Sequence, residues 1–234
     1  MRVEKGLNPV FIRGFDLPDV WFKAVDKLLD VGYEYVVQRG SFVGHKRKEF
    51  DFVVLHVTNP GNRPLIPEVP KDLEGVVPAP TSMDYVYEYF LGYIATGEKK
   101  PEEAYTYGQR LTSYEGVNQL REAIEILKNT PETNQAIMEI GTPTDILLED
   151  PPCLRLIDLR VRYGKLHFVV YFRSWDLWGG LPANLAAIQL LKEHMAKEIG
   201  VGDGELVCVS KGLHLYDYQF EWAMLITRRK KPEG

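Results

Sequence analysis

The stretch Tyr171 to Asn184, Y-F-R-S-W-D-L-W-G-G-L-P-A-N, constrains this chain more than any other. The apolar run Val169-Val170-Tyr171-Phe172 reads as a strand. It runs into Arg173, Ser174 and Asp176, and two glycines and Pro182 then lead into a long amphipathic helix carrying Asn184 in its first turn. A strand end, a turn and a helix start within so few residues set a guanidinium, a hydroxyl, a carboxylate and a carboxamide on one rigid frame. A helix N-terminus is also suited to anions. Such a junction can present its groups to one small ligand. The plain alternative is an ordinary strand-to-helix loop in which Arg173 pairs with Asp176.

Size and composition set the frame around this junction. With 234 residues, 45% of them hydrophobic, the chain can bury roughly 70–75% of its unfolded surface around one core, so a single domain over residues 1–234 is expected. A formal charge of −5 disfavours non-specific nucleic-acid binding, which needs a basic face, but leaves room for small anions held by a local arginine cluster. No apolar run approaches the length of a membrane span, and Met1-Arg2-Val3-Glu4-Lys5 lacks the apolar stretch of a signal peptide. The expectation is a soluble, cytoplasmic protein with no membrane or nucleic-acid partner. Two cysteines, Cys153 and Cys208, are too few for a disulfide framework or a Cys-rich metal site, and no metal is expected.

Periodicity supplies the elements. Pro18 opens a helix with Trp21, Val25, Leu28 and Leu29 on one stripe, closed by Gly32. Tyr33–Arg39 and Phe50–Val57 read as strands, separated by the turn-rich Gly40–Gly44 and the basic tetrad His45-Lys46-Arg47-Lys48. Asn59–Pro80 is studded with prolines yet too apolar for a free linker, so it should drape over the domain. A helix capped by Thr81 and Asp84 carries Tyr85, Tyr89 and Tyr93 on one face, and Val117–Leu127 is a second. Gln135–Ile140 is a short strand. Leu154–Arg162 alternates, slips at Leu156-Ile157 and alternates again, which predicts a β-bulge. Tyr163-Gly164-Lys165 turns into the strand Leu166–Arg173. The helix Leu181–Ile199, the strand Leu206–Val209, a turn at Gly212–Tyr216 and a last helix Asp217–Ile226 complete the order.

Beyond the junction, three places could carry chemistry. Cys153 follows two prolines at a strand entrance, which suits a nucleophile whose line of attack must be set in advance, although buried structural thiols are commoner. Cys208, between Val207 and Val209, is a core residue. His214 and Tyr216 are two apart and can offer two hydrogen-bonding groups to one ligand. Arg47, in the basic tetrad, is a candidate anion ligand. The glycines of Gly200–Gly204 follow a helix rather than a strand, which argues against a dinucleotide fingerprint.

Together, D-P-P-C at Asp150–Cys153, R-S-x-D at Arg173–Asp176, G-L-P-x-N at Gly180–Asn184 and H-x-Y at His214–Tyr216 resemble the thymidylate synthase family, with its dCMP-hydroxymethylase relatives. The resemblance spans roughly Glu88 to Ala223 and is strongest from Pro151 onward. Before Thr81 there is only a looser likeness to short archaeal-type members. It implies an α/β (α+β) fold, a three-layer sandwich of mixed sheets and helices whose bulged sheet forms a homodimer interface.

By the same resemblance, Cys153 matches the nucleophile that adds to C6 of the pyrimidine, its thiolate favoured by Arg173. Arg173 and Ser174 match phosphate ligands, Asp176 the carboxylate near base and pterin, Asn184 the reader of the base edge, and His214 and Tyr216 the ligands of the ribose 3′-hydroxyl. Glu88 and Tyr107 match the family's glutamate and aromatic wall in uncertain register. The implied reaction converts dUMP to dTMP with 5,10-methylenetetrahydrofolate. Alternatives are a pyrimidine-nucleotide hydroxymethylase and a non-catalytic nucleotide-binding relative. The last gains weight from departures: Phe172 replaces a glutamine, and Asn134 and Gln135 stand where the family has arginines that reach the neighbouring subunit's phosphate. Two such charged ligands are worth about 1.5–3 kcal/mol each, enough to weaken binding by orders of magnitude unless Arg47 or Arg155 substitutes. The basic end Arg228–Gly234 also lacks the family's apolar tail.

Overall fold

The structure, a computed structural model, describes residues 6–40 and 42–229. The readings made on Met1–Lys5, on Ser41 and on Lys230–Gly234 lie outside the described residues. The chain runs β1 (Pro9–Gly14), α1 (Leu17–Val31), β2 (Tyr33–Val36), β3 (Lys46–Glu49), β4 (Phe52–Val57), α2 (Met83–Tyr89), α3 (Tyr107–Thr112) and α4 (Gln119–Asn129). It continues β5 (Ile137–Glu139), β6 (Leu154–Arg162), β7 (Lys165–Phe172), β8 (Trp175–Asp176), α5 (Gly180–Ile199), β9 (Gly202–Ser210), β10 (Leu213–Tyr216) and α6 (Phe220–Ile226). Six strands form one mixed sheet, ordered β1-β4-β9-β7-β6-β5, and four form another, ordered β2-β3-β10-β8. Helices α1 and α5 pack on the large sheet and also touch the small one, giving three layers of an α+β fold.

Strand alternation explains which face of the large sheet meets the helices. In β7, Leu166, Phe168, Val170 and Phe172 are buried while His167, Val169 and Tyr171 turn outward, and β1, β4 and β9 alternate in the same way. Helix α1 starts where the Asp16 side chain accepts from Asp19 N–H at 3.0 Å, with Pro18 in the first turn. Its stripe buries Trp21, Val25 and Leu28. The Trp21 indole donates to the carbonyls of Leu177 at 2.8 Å and Trp178 at 3.2 Å, which ties α1 to the loop that opens α5. Truncating such a buried tryptophan costs about 3–5 kcal/mol. Helix α5 stops at Gly200, whose φ of 86° is left-handed backbone that glycine adopts without penalty.

Several expectations shift by a residue or change type. The cap of α2 is Ser82, which accepts from Tyr85 N–H, not Thr81, because Ser82 has the extended backbone that a cap needs. The basic tetrad is largely strand β3 rather than loop, held between β2 and β10. Leu213–Tyr216 is strand β10 rather than a turn: all four side chains are buried, so no alternation marks it. The bulge of β6 falls between Leu154 and Leu156, leaving Arg155 as the additional residue. β1 and α3 were not read from the sequence. The proline-rich stretch does cover the core, burying Leu65, Ile66 and Val77. Beyond α2 the helix widens into one π turn, Phe90–Ile94, with Ala95 N–H donating to the Phe90 carbonyl at 2.8 Å.

Candidate active site

Cys153 sits where Asp150-Pro151-Pro152 delivers the chain into β6, and its surroundings fix it in place. The Leu154 N–H donates to the Tyr107 hydroxyl at 3.2 Å. The Arg173 N–H donates to the Cys153 carbonyl at 2.9 Å, closing the β6–β7 ladder. The thiol is half-buried at the wall of a cavity of about 460 Å³ that Arg47, Arg173, Ser174, Asp176, His214 and Tyr216 also line. The structure thus brings seven of the sequence-selected residues to one place.

The guanidinium of Arg173 wraps the turn before the thiol. Its Nε donates to the carbonyls of Pro151 at 3.1 Å and Pro152 at 3.2 Å, and Nη2 reaches Asp150 Oδ1 at 3.0 Å and the Pro151 carbonyl. The pairing with Asp176 that an ordinary loop would have is not made. Asp176 accepts instead from Gly179 and Gly180 N–H, both at 2.8 Å, and from Gln219 Nε2 at 3.0 Å, so it caps the N-terminus of α5. The Ser174 hydroxyl faces the cavity with no partner among the described residues.

The small sheet supplies the opposite wall. Parallel pairing of β8 and β10 sets His214 beside Asp176, and antiparallel pairing sets Tyr216 beside Arg47. Arg47 donates to the hydroxyls of Tyr216 at 2.8 Å and Tyr35 at 3.3 Å, and lies 3.7 Å from Glu49. The ring of Phe42, on backbone with φ 64°, packs 4.6 Å from that of Tyr216. His214 Nδ1 bonds to the Gly212 carbonyl at 2.8 Å, while its buried Nε2 has no partner among the described residues. Since a carbonyl only accepts, Nδ1 carries the proton and Nε2 is an open acceptor.

Burial sets the protonation states. It pushes the Cys153 thiol up, with Arg173 opposing and Asp150 adding to the rise. This corrects the expectation of a depressed thiol pKa: Arg173 is engaged with Asp150 and two carbonyls, and does not outweigh desolvation. His214 is lowered to about 4 by burial, then by Arg47, and so is neutral at pH 7. Burial raises Glu49 and Tyr216 as well, and holds the phenols of Tyr89 and Tyr107 well above their ordinary value.

Other candidates stand apart from the cavity. Asn184 does not itself line the cavity but is joined to it through Trp175, which does: its Oδ1 accepts from the Trp175 indole at 2.9 Å, and its half-buried carboxamide donates from Nδ2 to the Tyr89 hydroxyl at 3.0 Å. Glu88 is exposed and lines a neighbouring groove instead, together with Tyr89, whose hydroxyl meets Asn184. Arg155 is spent on Asp145 at 3.2 Å and the Thr142 carbonyl. Asn134 and Gln135 are exposed before edge strand β5 and do not line the cavity. Phe172 is buried and stacks on Trp175, centroids 3.9 Å apart and planes within 3°.

The neighbouring groove, about 690 Å³, runs along the tyrosines of α2 and its π turn and is edged by Lys99 and Lys100. Tyr85 and Tyr89 stack at 6.2 Å, and Tyr89 and Tyr93 at 5.4 Å, followed by Tyr107 edge-on to Tyr93 at 5.0 Å. Sequence reasoning missed Arg39, which lines the cavity from the loop after β2, and the indole of Trp175. A basic residue beside Gly40 was the available sign for the first. Nothing in the sequence pointed to the second.

Among the described residues, no group of three or more His, Cys, Asp or Glu could hold a metal ion, and no helix is long and apolar enough to cross a membrane. The family model described as thymidylate synthase matches residues 81–233, well over half of the chain. A protein of Methanosarcina mazei named "Putative thymidylate synthase" is 30% identical over 217 residues, covering 92% of each chain. Proteins of the same name from Methanosarcina acetivorans and Methanothermobacter thermautotrophicus are each 31% identical, over 92% of this chain and 92% of the relative, and over 89% and 94%. With a family model over most of the chain and these relatives in agreement, the chain belongs to the thymidylate synthase family.

Proposed function

We propose that the protein methylates dUMP to dTMP, and that Cys153 forms the covalent link to the base. The observation that carries this reading is the placing of a pinned cysteine on the wall of a cavity that also presents Arg173, Ser174, Arg47, His214 and Tyr216. A 5′-phosphate exchanges the weak carbonyl contacts of Arg173 for charge-assisted bonds and takes the free Ser174 hydroxyl, with Arg39 and Arg47 adding positive field. A ribose hydroxyl donates to His214 Nε2, satisfying a buried acceptor, and meets the Tyr216 phenol. The Cys153 sulfur adds to C6, C5 becomes an enolate carbon, and an Asn184 N–H stabilises the charge that builds on O4. Before the sulfur adds, the thiol gives its proton to solvent, and Arg173, the strongest cationic influence on it, favours the thiolate that results.

Methylenetetrahydrofolate, when bound, supplies the one-carbon unit and the hydride. The groove beside the cavity suits it: stacked Tyr85, Tyr89 and Tyr93 offer a flat aromatic wall to a pterin or p-aminobenzoyl ring, and Lys99 and Lys100 offer charges to its carboxylates. The open outer face of the large sheet supports a homodimer in which a second copy covers it.

A second reading, a nucleotide binder without turnover, draws on the exposed Glu88 and on the raised thiol. Incubation with 5-fluoro-dUMP and methylenetetrahydrofolate separates the two. The methyltransferase reading expects a covalent adduct by mass spectrometry that is absent in Cys153→Ser. No adduct under conditions where dUMP binds favours the binder.

A further inference from the structure

The side-chain carboxamide of an asparagine is a reversible reader. With oxygen and nitrogen in one order it accepts from N3–H and donates to O4 of uracil; flipped, it donates to N3 and accepts from the 4-amino group of cytosine. Choice between the bases therefore needs something that forbids the flip. Around Asn184 that element is present. The Trp175 indole nitrogen donates to Oδ1 at 2.9 Å, and an indole N–H can only donate. Flipping Asn184 would set its NH₂ against the indole N–H, two donors face to face. The other neighbour, the Tyr89 hydroxyl, accepts from Nδ2 at 3.0 Å but could equally donate to an oxygen, so it imposes no order.

The indole cannot turn away to relieve such a clash. Its ring is buried and stacked on Phe172 at 3.9 Å and 3°. Its backbone N–H donates to the Gly212 carbonyl at 2.8 Å, which holds the short strand β8 against β10. After these two bonds the Asn184 carboxamide keeps one acceptor site and one N–H free among the described residues. That is the complement of the uracil N3–H and O4 edge.

We propose that Trp175 is a specificity-determining residue: its indole N–H locks Asn184 in the order that reads uracil and bars the order that reads cytosine. Phe172, through the ring stack, is the positioning residue behind it. The proposal rests on the pyrimidine-nucleotide reading above and goes beyond it by naming what sets the base preference.

Calorimetric affinities for dUMP and dCMP test it in the wild type, Trp175→Phe and Tyr89→Phe, with thermal melts to verify folding. The wild type should prefer dUMP. Trp175→Phe keeps a ring on Phe172 but removes the N–H, and should lower the dUMP-to-dCMP affinity ratio about tenfold or more, chiefly by gaining dCMP, which is the scale of one buried hydrogen bond. Affinity for 2′-deoxyribose 5-phosphate should stay unchanged. Tyr89→Phe should weaken both nucleotides together and hold the ratio, since its hydroxyl serves either order. Should Trp175→Phe fail to fold, 3-benzothienylalanine at position 175, which replaces the N–H by sulfur in a ring of the same shape, gives the same test. An unchanged ratio in a folded protein lacking the N–H overturns the lock while leaving dUMP binding intact. A wild type that binds neither nucleotide overturns the nucleotide reading, and the lock with it.

Discussion

The amide of Arg173 donates to the carbonyl of Cys153 at 2.9 Å, the last rung between β6 and β7. Candidate nucleophile and candidate phosphate ligand are therefore registered to each other by backbone, independent of how the guanidinium turns. The same guanidinium shares Asp150 with the turn, and this leaves burial as the dominant influence on the thiol.

Cys153 should therefore alkylate with a pH midpoint above that of an ordinary thiol in the free protein. Replacing Asp150 by Asn removes a charge that opposes the thiolate and frees Arg173, so the midpoint should fall, while Arg173→Ala should raise it further. Iodoacetamide rates against pH check this. Cys208, fully buried and raised further, should stay unmodified in the folded protein.

His214 predicts a loss of stability in mild acid. Its folded pKa lies near 4 against 6.5 for an ordinary histidine. The unfolded chain takes up that proton first, so the contribution is intact above about pH 6.5 and is lost as pH falls toward 4, on the order of 3 kcal/mol over the window. The neighbouring Glu49, raised by burial, works in the opposite sense at its own titration. Urea melts between pH 7 and 4.5 should show a shallower slope in His214→Gln than in the wild type.

Asp145 joins two arginines, Arg110 at 2.9 Å and Arg155 at 3.2 Å, and its side chain is 2% exposed. Asp145→Ala leaves Arg110 buried without its counter-ion and should cost about 3–5 kcal/mol in denaturant melts. Asp145→Asn keeps one acceptor oxygen but sets an NH₂ where the other now accepts, so it should recover only part of that cost.

The chain should be a dimer at micromolar concentration. On the outward face of the large sheet, Phe11 is 64%, Ile137 43% and Val169 37% exposed, an apolar surface that a second copy would cover. Val169→Asp should give a monomer in sedimentation equilibrium, where the unmodified chain sediments as a dimer.

Asn184→Asp should move base preference toward dCMP. A protonated carboxyl can donate to N3 and accept from the 4-amino group, and an ionised one accepts from that amino group but repels O4 of uracil. Competition between dUMP and dCMP by calorimetry reads the shift.

Where physics acts locally, the sequence was legible. The stripe of Trp21, Val25 and Leu28 and the alternation of β7 placed α1 and the strand before the site, because burial on one face leaves a period. The motif residues Cys153, Arg173, Ser174, His214 and Tyr216 converge on one cavity. Strand β10 escaped because both its faces are covered, so His214 and Tyr216 looked like polar outliers of a turn. Glu88 came from the resemblance alone and misses the cavity, since neighbouring residues on a helix differ by about 100° in direction and a motif match gives no heading for that helix. The lowered His214 and raised Cys153 depend on elements distant in the chain, which no local pattern encodes.

The π turn after α2 acts as a phase correction. Four residues of α-helix turn through about 400°, so side chains spaced by four drift by about 40° per step and a third ring would slide off a stack. The wider turn at Phe90–Ile94 winds less per residue and takes up that drift, leaving Tyr93 at 5.4 Å and 21° from Tyr89. The aromatic wall is thus tuned by residue count rather than by residue type. Changing Gly92 to another small residue leaves the count alone, whereas deleting it returns the segment to ordinary pitch and swings Tyr93 off the wall.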